Sequence, residues 1–504
     1  MKYILAIDQG TSSTKTILFD ENGKAFAKGT ELLKTNYLPN GFVEQDPEEI
    51  FRNVLSSVKK CIEDFKKKGG DLYSIQTCGI SNQRETFVIW NDKGIPLYNA
   101  VVWQCKRSVE ICSRLKKEGR EPLIRTATGL LLDPYFSGTK LFWLYENDPK
   151  VKQAIDDGKA YFGTIDTWVL YKLTNGRSYF TDYTNASRTL FFNLSTLNWD
   201  VELLSIFKLS KLNLPMPKSS SALFGESNFE GLLPSSVNIS ALIGDSHAAT
   251  FGEGCFSPGT AKATLGTGCS VMMNVGNSVK VSNTGMVSTI CWSTETEVQY
   301  ALEGVIVTCG GTIEWLKNEL NLFNDSRDTE SMANAVNNNG GVYIVPAFSG
   351  LGAPHWDMNR KGEIRGLTFG TTKNHLVRAA LESIPYQIKD VIAAMESDTS
   401  ISLQQLMIDG GISGNRFIVR FLTELLEKPV VNIGMADVSA LGAAYLAGLQ
   451  KKIFRDLNHL RELNSEKTTT KPTGDENVKA WYQGWCHAIM SGTSNQKTIT
   501  GYYE

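Results

Sequence analysis

The sequence predicts an α/β protein of two domains. Three observations predict it. A chain of 504 residues is too long for one hydrophobic core. Strand-length apolar runs alternate with helix-spaced ones along most of it. The same opening, a strand, a short turn of glycine and hydroxyl residues and a second strand, occurs first around Gly10 and again around Thr267.

Residues 3–8 (YILAID) and 16–20 (TILFD) have strand length, and the polar stretch Gln9–Lys15 between them is expected to be a turn. Asn22-Gly23 then signals a tight hairpin. Asp46-Pro47-Glu48-Glu49 reads as N-cap, first helical position and acidic first turn. Ile50, Val54, Val58, Ile62 and Phe65 follow at helical spacing, and Gly69-Gly70 stops the helix. Asn91-Asp92-Lys93-Gly94 marks another hairpin, between VIW and PLYNAVVW. The Pro- and Ser-rich stretch Leu214–Ser221 breaks the pattern, and an apolar segment, SALIGD, ends at Asp245. The domain boundary is expected here, with residues 1–245 in the first domain and 246–504 in the second. Residues 260–274 (TAKATLGTGCSVMMN) restart the theme, which suggests an internal duplication. Beyond them the pattern predicts a long amphipathic helix over 374–397, a strand over 405–409, a helix over 414–428 and a surface loop over Glu466–Gly474.

Composition narrows the function. The 51 basic and 53 acidic side chains leave a formal net charge of -2, so nothing favours nucleic acid or an anionic membrane surface. Lys66, Lys67 and Lys68 read as the solvated end of the first helix. The 9 cysteines form no C-x-x-C pair, which argues against a disulfide framework or a zinc knuckle. No integral membrane segment, signal peptide or lipidation motif is read, so the expected location is cytoplasmic.

Three glycine-rich turns could carry chemistry. In Asp8-Gln9-Gly10-Thr11-Ser12-Ser13-Thr14-Lys15, Gly10 permits close backbone approach, and hydroxyl and N–H groups can surround phosphate oxygens. Asp8, at a strand end, suits a hydrated Mg²⁺. Gly266-Thr267-Gly268 is the second such turn. Asp409-Gly410-Gly411, with Asn415 on the next helix, is the third and suits a helix N-terminus facing a nucleotide. Each alone reads equally as a tight connection; together they describe a nucleotide in an interdomain cleft. The chain has no Walker A motif, no protein-kinase signature set and no Rossmann G-x-G-x-x-G, so the nucleotide fold is a different one.

The stretches GISNQRET (79–86), NAVVWQCKRS (99–108), GLLLDPYFSGTK (129–140), DYTNASRTLFFN (182–193), YALEGVI (300–306), GVYIVPAFSGLGAPHWD (341–357), LMIDGGISGNRF (406–417) and VSALGAAYLAGL (438–449) resemble the FGGY family of carbohydrate kinases, most nearly its glycerol-kinase branch. The resemblance implies two ribonuclease-H-like domains, as in actin, hexokinase and Hsp70 ATPases, closing over ATP and substrate. It implies transfer of the ATP γ-phosphate to glycerol, with Mg²⁺, in a protein that forms dimers or tetramers. It places Arg84, Glu85, Trp103, Tyr135, Asp245 and Ser246 around the polyol, with Asp245 as general base. It places Thr11, Ser12, Ser13, Lys15, Thr267, Gly310, Glu314, Gly411 and Asn415 at the nucleotide and Asp8 at the metal.

The chain departs from the family pattern at several of these positions. Lys15 and Glu314 stand where the family commonly has Arg and Gln. Ser246 replaces a Gln and Ser270 a Phe, so the pocket is expected to be larger and wetter. The alternative substrate is therefore a larger polyol or ketose such as erythritol, threitol or xylulose. His247, beside the expected base, reads as structural.

Overall fold

The computed structural model describes residues 1–463 and 467–491. The first sheet holds β1 (Tyr3–Gln9), β2 (Ser13–Asp20), β3 (Ala25–Leu32), β4 (Ile75–Asn82), β5 (Ser221–Ser227) and β6 (Val237–Gly244), in the order β5-β6-β4-β1-β2-β3. β1, β4 and β6 run parallel; β2, β3 and β5 are antiparallel to their neighbours. The second sheet holds β7 (Thr260–Leu265), β8 (Cys269–Gly276), β9 (Val287–Ser293), β10 (Val298–Ile306), β11 (Gln405–Asp409), β12 (Val430–Asn432) and β13 (Thr468–Thr470). Their order is β9-β10-β8-β7-β11-β12-β13. Each sheet has the same heart: a first strand (β1, β7) paired antiparallel with the second of its hairpin and parallel with a strand far downstream. The internal duplication suggested by the two opening turns is thus a duplication of topology.

Helix α1 (Pro47–Lys67) covers the first sheet. Asp46 accepts the Glu48 N–H as N-cap, and the predicted apolar stripe is buried. Each of Ile50, Val54, Val58, Ile62 and Phe65 contributes about 2 kcal/mol of burial free energy. The lysines that follow lie at its solvated end.

Four expectations change. The first turn is shorter than Gln9–Lys15, because strand pairing resumes at Ser13 and matches Lys15 with Asp8. The helix over 374–397 runs Lys373–Thr399 and is buried along most of its length, because elements pack on more than one face of it. Tertiary packing overrides the amphipathic reading. Glu466 lies outside the described residues, but Thr468–Thr470 of the expected loop is an edge strand, paired with Val430–Asn432. Leu214–Ser221 holds the short strand Met216–Lys218 rather than only breaking the pattern.

The two halves meet through two helices. α2 (Asp245–Gly252) leaves the end of β6, and α3 (Val438–Gln450) returns from the second half to lie under the first sheet. Small residues allow this. A Cβ on Gly442 would sit 1.8 Å from the Ala248 carbonyl oxygen, and one on Gly79 would sit 2.2 Å from that of Ala443. Met272, Cys291, Trp292 and Ala301 of the second sheet join the same apolar cluster.

Candidate active site

Parallel pairing brings the C-terminal ends of β1, β4 and β6 side by side: Gln9 pairs with Asn82, and Asn82 with Gly244. Asp8, Arg84-Glu85 and Asp245 lie at or just past those ends, so residues far apart in sequence share one edge. In α/β sheets this edge is where ligands bind. The β7–β11 pair does the same for the second domain, setting Gly266-Thr267-Gly268 beside Asp409-Gly410-Gly411.

Asp8 accepts a hydrogen bond from Ser81 Oγ at 2.8 Å. Burial, reinforced by the charge of Asp245, pushes its carboxyl up to about 6. Its cross-strand partner Lys15 donates to Asp437 Oδ1 at 3.0 Å, and Asp437 also takes Lys28 at 2.5 Å. Burial works against the Lys15 charge, but Asp437 outweighs it and holds the proton on more tightly than usual. Thr11 and Ser13 are half-buried and Ser12 is exposed. The Trp103 indole donates to Thr11 Oγ1 at 2.9 Å, so the first turn touches the expected polyol side of the site directly.

The second turn is docked on the residues that start helix Gly311–Asn318. Gly310 N–H donates to the Gly266 carbonyl at 2.9 Å and Gly311 N–H to that of Thr267 at 3.0 Å. A Cβ on Gly310 would lie 2.7 Å from the Gly266 oxygen, so a side chain there would push the two apart. Thr267 itself is exposed. At the third turn Gly410 has φ +94 and Gly411 has open space around it. Asn415 caps helix Arg416–Leu426 by accepting the Ile418 N–H. Glu314 is exposed and takes the Ser326 hydroxyl at 3.2 Å.

The residues expected on the polyol side converge. The Trp103 and Tyr135 rings meet edge-to-face with centroids 5.4 Å apart. Arg84 Nε lies 3.3 Å from Asp245 Oδ1. Asp245 and Ser246 are half-buried at the start of α2, and the Ser246 N–H donates back to Asp245 Oδ1 at 2.6 Å. Glu85 does not pair with its neighbour Arg84; it takes Arg188 Nε at 2.6 Å and is 1% exposed. Burial wins there and raises its carboxyl.

Sequence reasoning gave no role to Arg188, Glu303 or Lys140. Arg188 and Glu303 complete the ion-pair network: Arg84 binds Glu303 through both Nη atoms, at 3.1 and 2.8 Å, and Arg188 reaches Glu303 at 2.9 Å. Burial would favour a neutral Glu303, but the two guanidinium groups hold it well below the usual carboxylate range. Both residues lie inside stretches already singled out, yet only tertiary structure shows them meeting. Lys140 is fully buried and donates to the Tyr135 carbonyl at 2.7 Å and the Trp103 carbonyl at 3.3 Å. His247 is fully buried, with Nε2 3.2 Å from Thr289 Oγ1. Burial, then the charges of Arg84 and Arg188, drive its proton affinity far down, so the imidazole is neutral. Ser270, half-buried on β8, donates to Glu303 Oε1 at 3.0 Å.

Residues 3–252 match the N-terminal domain of the FGGY family of carbohydrate kinases, and residues 261–450 match its C-terminal domain. The chain belongs to the FGGY family of carbohydrate kinases. It is 42% identical to a glycerol kinase of Desulfitobacterium hafniense over 97% of this chain and 99% of the relative. Glycerol kinase 2 of Thermotoga maritima is 42% identical over 99% of this chain and 100% of its own length. The crystal structure of Plasmodium falciparum glycerol kinase with ADP superimposes with a TM-score of 0.92 at 35% identity, covering 97% of this chain and 98% of that one. A ligand-bound xylulose kinase of Lactobacillus acidophilus shares the fold, with a TM-score of 0.87 at 23% identity over 98% and 99% of the two chains. The two-domain architecture around a cleft is therefore that of this kinase family. Among the described residues no helix is long and apolar enough to cross a membrane.

Proposed function

We propose that the protein is an ATP-dependent glycerol kinase, transferring the γ-phosphate of ATP to a hydroxyl of glycerol to give sn-glycerol 3-phosphate and ADP. One observation carries this reading. Arg84, Asp245, Trp103 and Tyr135 meet beside the first phosphate-type turn, in a chain 42% identical over nearly its whole length to glycerol kinases. Residues 1–245 would supply the polyol site and that turn, and residues 246–504 most of the nucleotide site.

Glycerol presents vicinal hydroxyls, each donor and acceptor. Arg84 supplies donors, Glu85 and Asp245 acceptors, Tyr135 both, and the Trp103 face covers carbon. Asp245 accepts the proton of the attacking hydroxyl as its oxygen approaches the γ-phosphorus. Arg84 beside it keeps the carboxylate oriented. Thr11, Ser12, Ser13, Lys15, Thr267, Gly310, Glu314, Gly411 and Asn415 line the nucleotide side. Positioning and charge neutralisation supply most of the rate, because the transition state for phosphoryl transfer is loose.

The residues fit a Mg²⁺ ion held chiefly through water and phosphate. Asp8 offers a carboxylate in an electron-rich spot, and no cluster of three or more acidic, His or Cys ligands exists among the described residues. Bound there, the ion would offset phosphate charge. The nine cysteines, all free and buried, suit a reducing cytoplasmic setting.

A larger polyol or ketose is the second reading. It is favoured by Ser270, a short side chain where the family commonly has Phe, whose hydroxyl turns to Glu303. ADP release measured across glycerol, erythritol, threitol, dihydroxyacetone and xylulose decides between the two by kcat/KM. The same assay tests the base: Asp245→Asn should lower kcat about 10³-fold with ADP binding intact. Full activity in that variant overturns the mechanism.

A further inference from the structure

We propose that Glu303 is a positioning residue for phosphoryl transfer, a carboxylate of the second domain that fixes Arg84 against Asp245. The inference rests on the role given above to Asp245. Five side chains form a line of alternating charge: Glu85, Arg188, Glu303, Arg84 and Asp245, linked at 2.6, 2.9, 2.8 and 3.3 Å. The first four are 1 to 6% exposed, whereas the Asp245 side chain is 36% exposed. The line therefore runs from the protein interior to the carboxylate at the mouth of the site.

Glu303 is buried among protein partners rather than open to substrate. Oε1 takes Arg84 Nη2 at 2.8 Å and Ser270 Oγ at 3.0 Å. Oε2 takes Arg84 Nη1 at 3.1 Å and Arg188 Nη2 at 2.9 Å. Three hydrogen bonds and the Arg188 ion pair surround a carboxylate that is only 1% exposed. Its work is therefore on Arg84. Two parallel bonds fix the plane of the guanidinium, and its Nε then sits 3.3 Å from Asp245 Oδ1 as an ion pair. The Arg84 stem is packed closely as well: a Cβ on Gly244 would lie 2.8 Å from Arg84 Cγ and 3.0 Å from His247 Nδ1.

Glu303 also comes from a different sheet. It stands on β10, whereas Arg84 follows β4 and Asp245 follows β6. The bidentate pair thus joins the two domains at the reacting centre. A change in how the domains sit against each other is felt by Arg84, and through it by Asp245.

The test is Glu303→Gln, which keeps size and removes one charge and one acceptor pattern. A 1 Å misplacement of a reacting group costs about 100-fold, so kcat for glycerol should fall by about that factor. ADP affinity by calorimetry and KM for ATP should stay within about twofold, since the phosphate turns are untouched. A kcat within about threefold of the parent, or an equal loss in ADP affinity, overturns the proposal. If that variant does not fold, Ser270→Ala removes one donor from Glu303 without altering charge. A drop in kcat of about fivefold at unchanged ADP affinity supports the proposal, and an unchanged kcat overturns it. Asp245→Asn in the same assay separates the two claims. Inactive Asp245→Asn beside an unaffected Glu303→Gln sinks the positioning role alone. Active Asp245→Asn sinks the base on which it rests.

Discussion

Replacing Lys140 by Met removes a buried cation that clamps two loops at once. Its Nζ bonds the carbonyls of Trp103 and Tyr135, the two aromatics proposed to face the polyol. The ammonium is fully buried, and burial, partly offset by Glu85, pulls its proton loss down from 10.5 to about 8. A gap of about 2.5 pH units at 1.36 kcal/mol each is about 3 kcal/mol. The sign follows from linkage. Between pH 8 and 10.5 the unfolded chain keeps the proton that the folded chain has released, so stability from this group rises with pH across that window. Below pH 8 both states are charged and its full cost is present. Urea unfolding at pH 7.5 and 9.5 should show a gain in the parent of about 2 kcal/mol relative to Lys140→Met, read as the difference between the two proteins. At neutral pH the variant also trades two charge-assisted hydrogen bonds for the relief of that cost, so its own stability there changes little. Function should separate from stability. With both carbonyls released, KM for glycerol should rise about tenfold and KM for ATP should not move. An identical pH dependence of unfolding in the two proteins would refute the reasoning, because it would mean that the buried amine carries no penalty.

Three further outcomes follow from the packing and the site. Burial, then the neighbouring charge of Asp182, raises the Asp166 carboxyl to about 7; the folded protein thus binds a proton that the unfolded chain has lost, and stability falls as pH rises from about 4 to 7. Asp166→Asn should flatten that slope in chemical unfolding at pH 4.5 and 7. Gly442→Ala places a Cβ 1.8 Å from the Ala248 carbonyl oxygen, so helices α2 and α3 must separate; a loss of about 3 kcal/mol, read as a fall in Tm, is expected. Ser270→Phe puts a ring beside Glu303 and removes the hydroxyl bond to it, so the kcat/KM ratio of erythritol to glycerol should fall about tenfold.

Local order was readable in the chain. The Asp46 cap, the stripe from Ile50 to Phe65 and the strand from Gln405 to Asp409 rest on periodicity and capping, which act over a few residues. The three glycine turns were visible for the same reason: close backbone approach needs glycine wherever it occurs. The resemblance of long stretches placed Arg84, Trp103, Tyr135 and Asp245 together before any geometry was known. Where those side chains point, and what supports them, was decided by tertiary structure. Parallel pairing of β1, β4 and β6 joins residues 8, 84 and 245 at one edge, and parallel order depends on distant strands that no local window contains. The partners of Arg84 and Glu85 were invisible for the same reason. Adjacent opposite charges suggest a pair, but burial drove each to a partner more than 100 positions away, Glu303 and Arg188. The buried lysine at 140 reads in sequence as one polar residue in a helix. Only packing reveals that its charge lies out of water against two carbonyls.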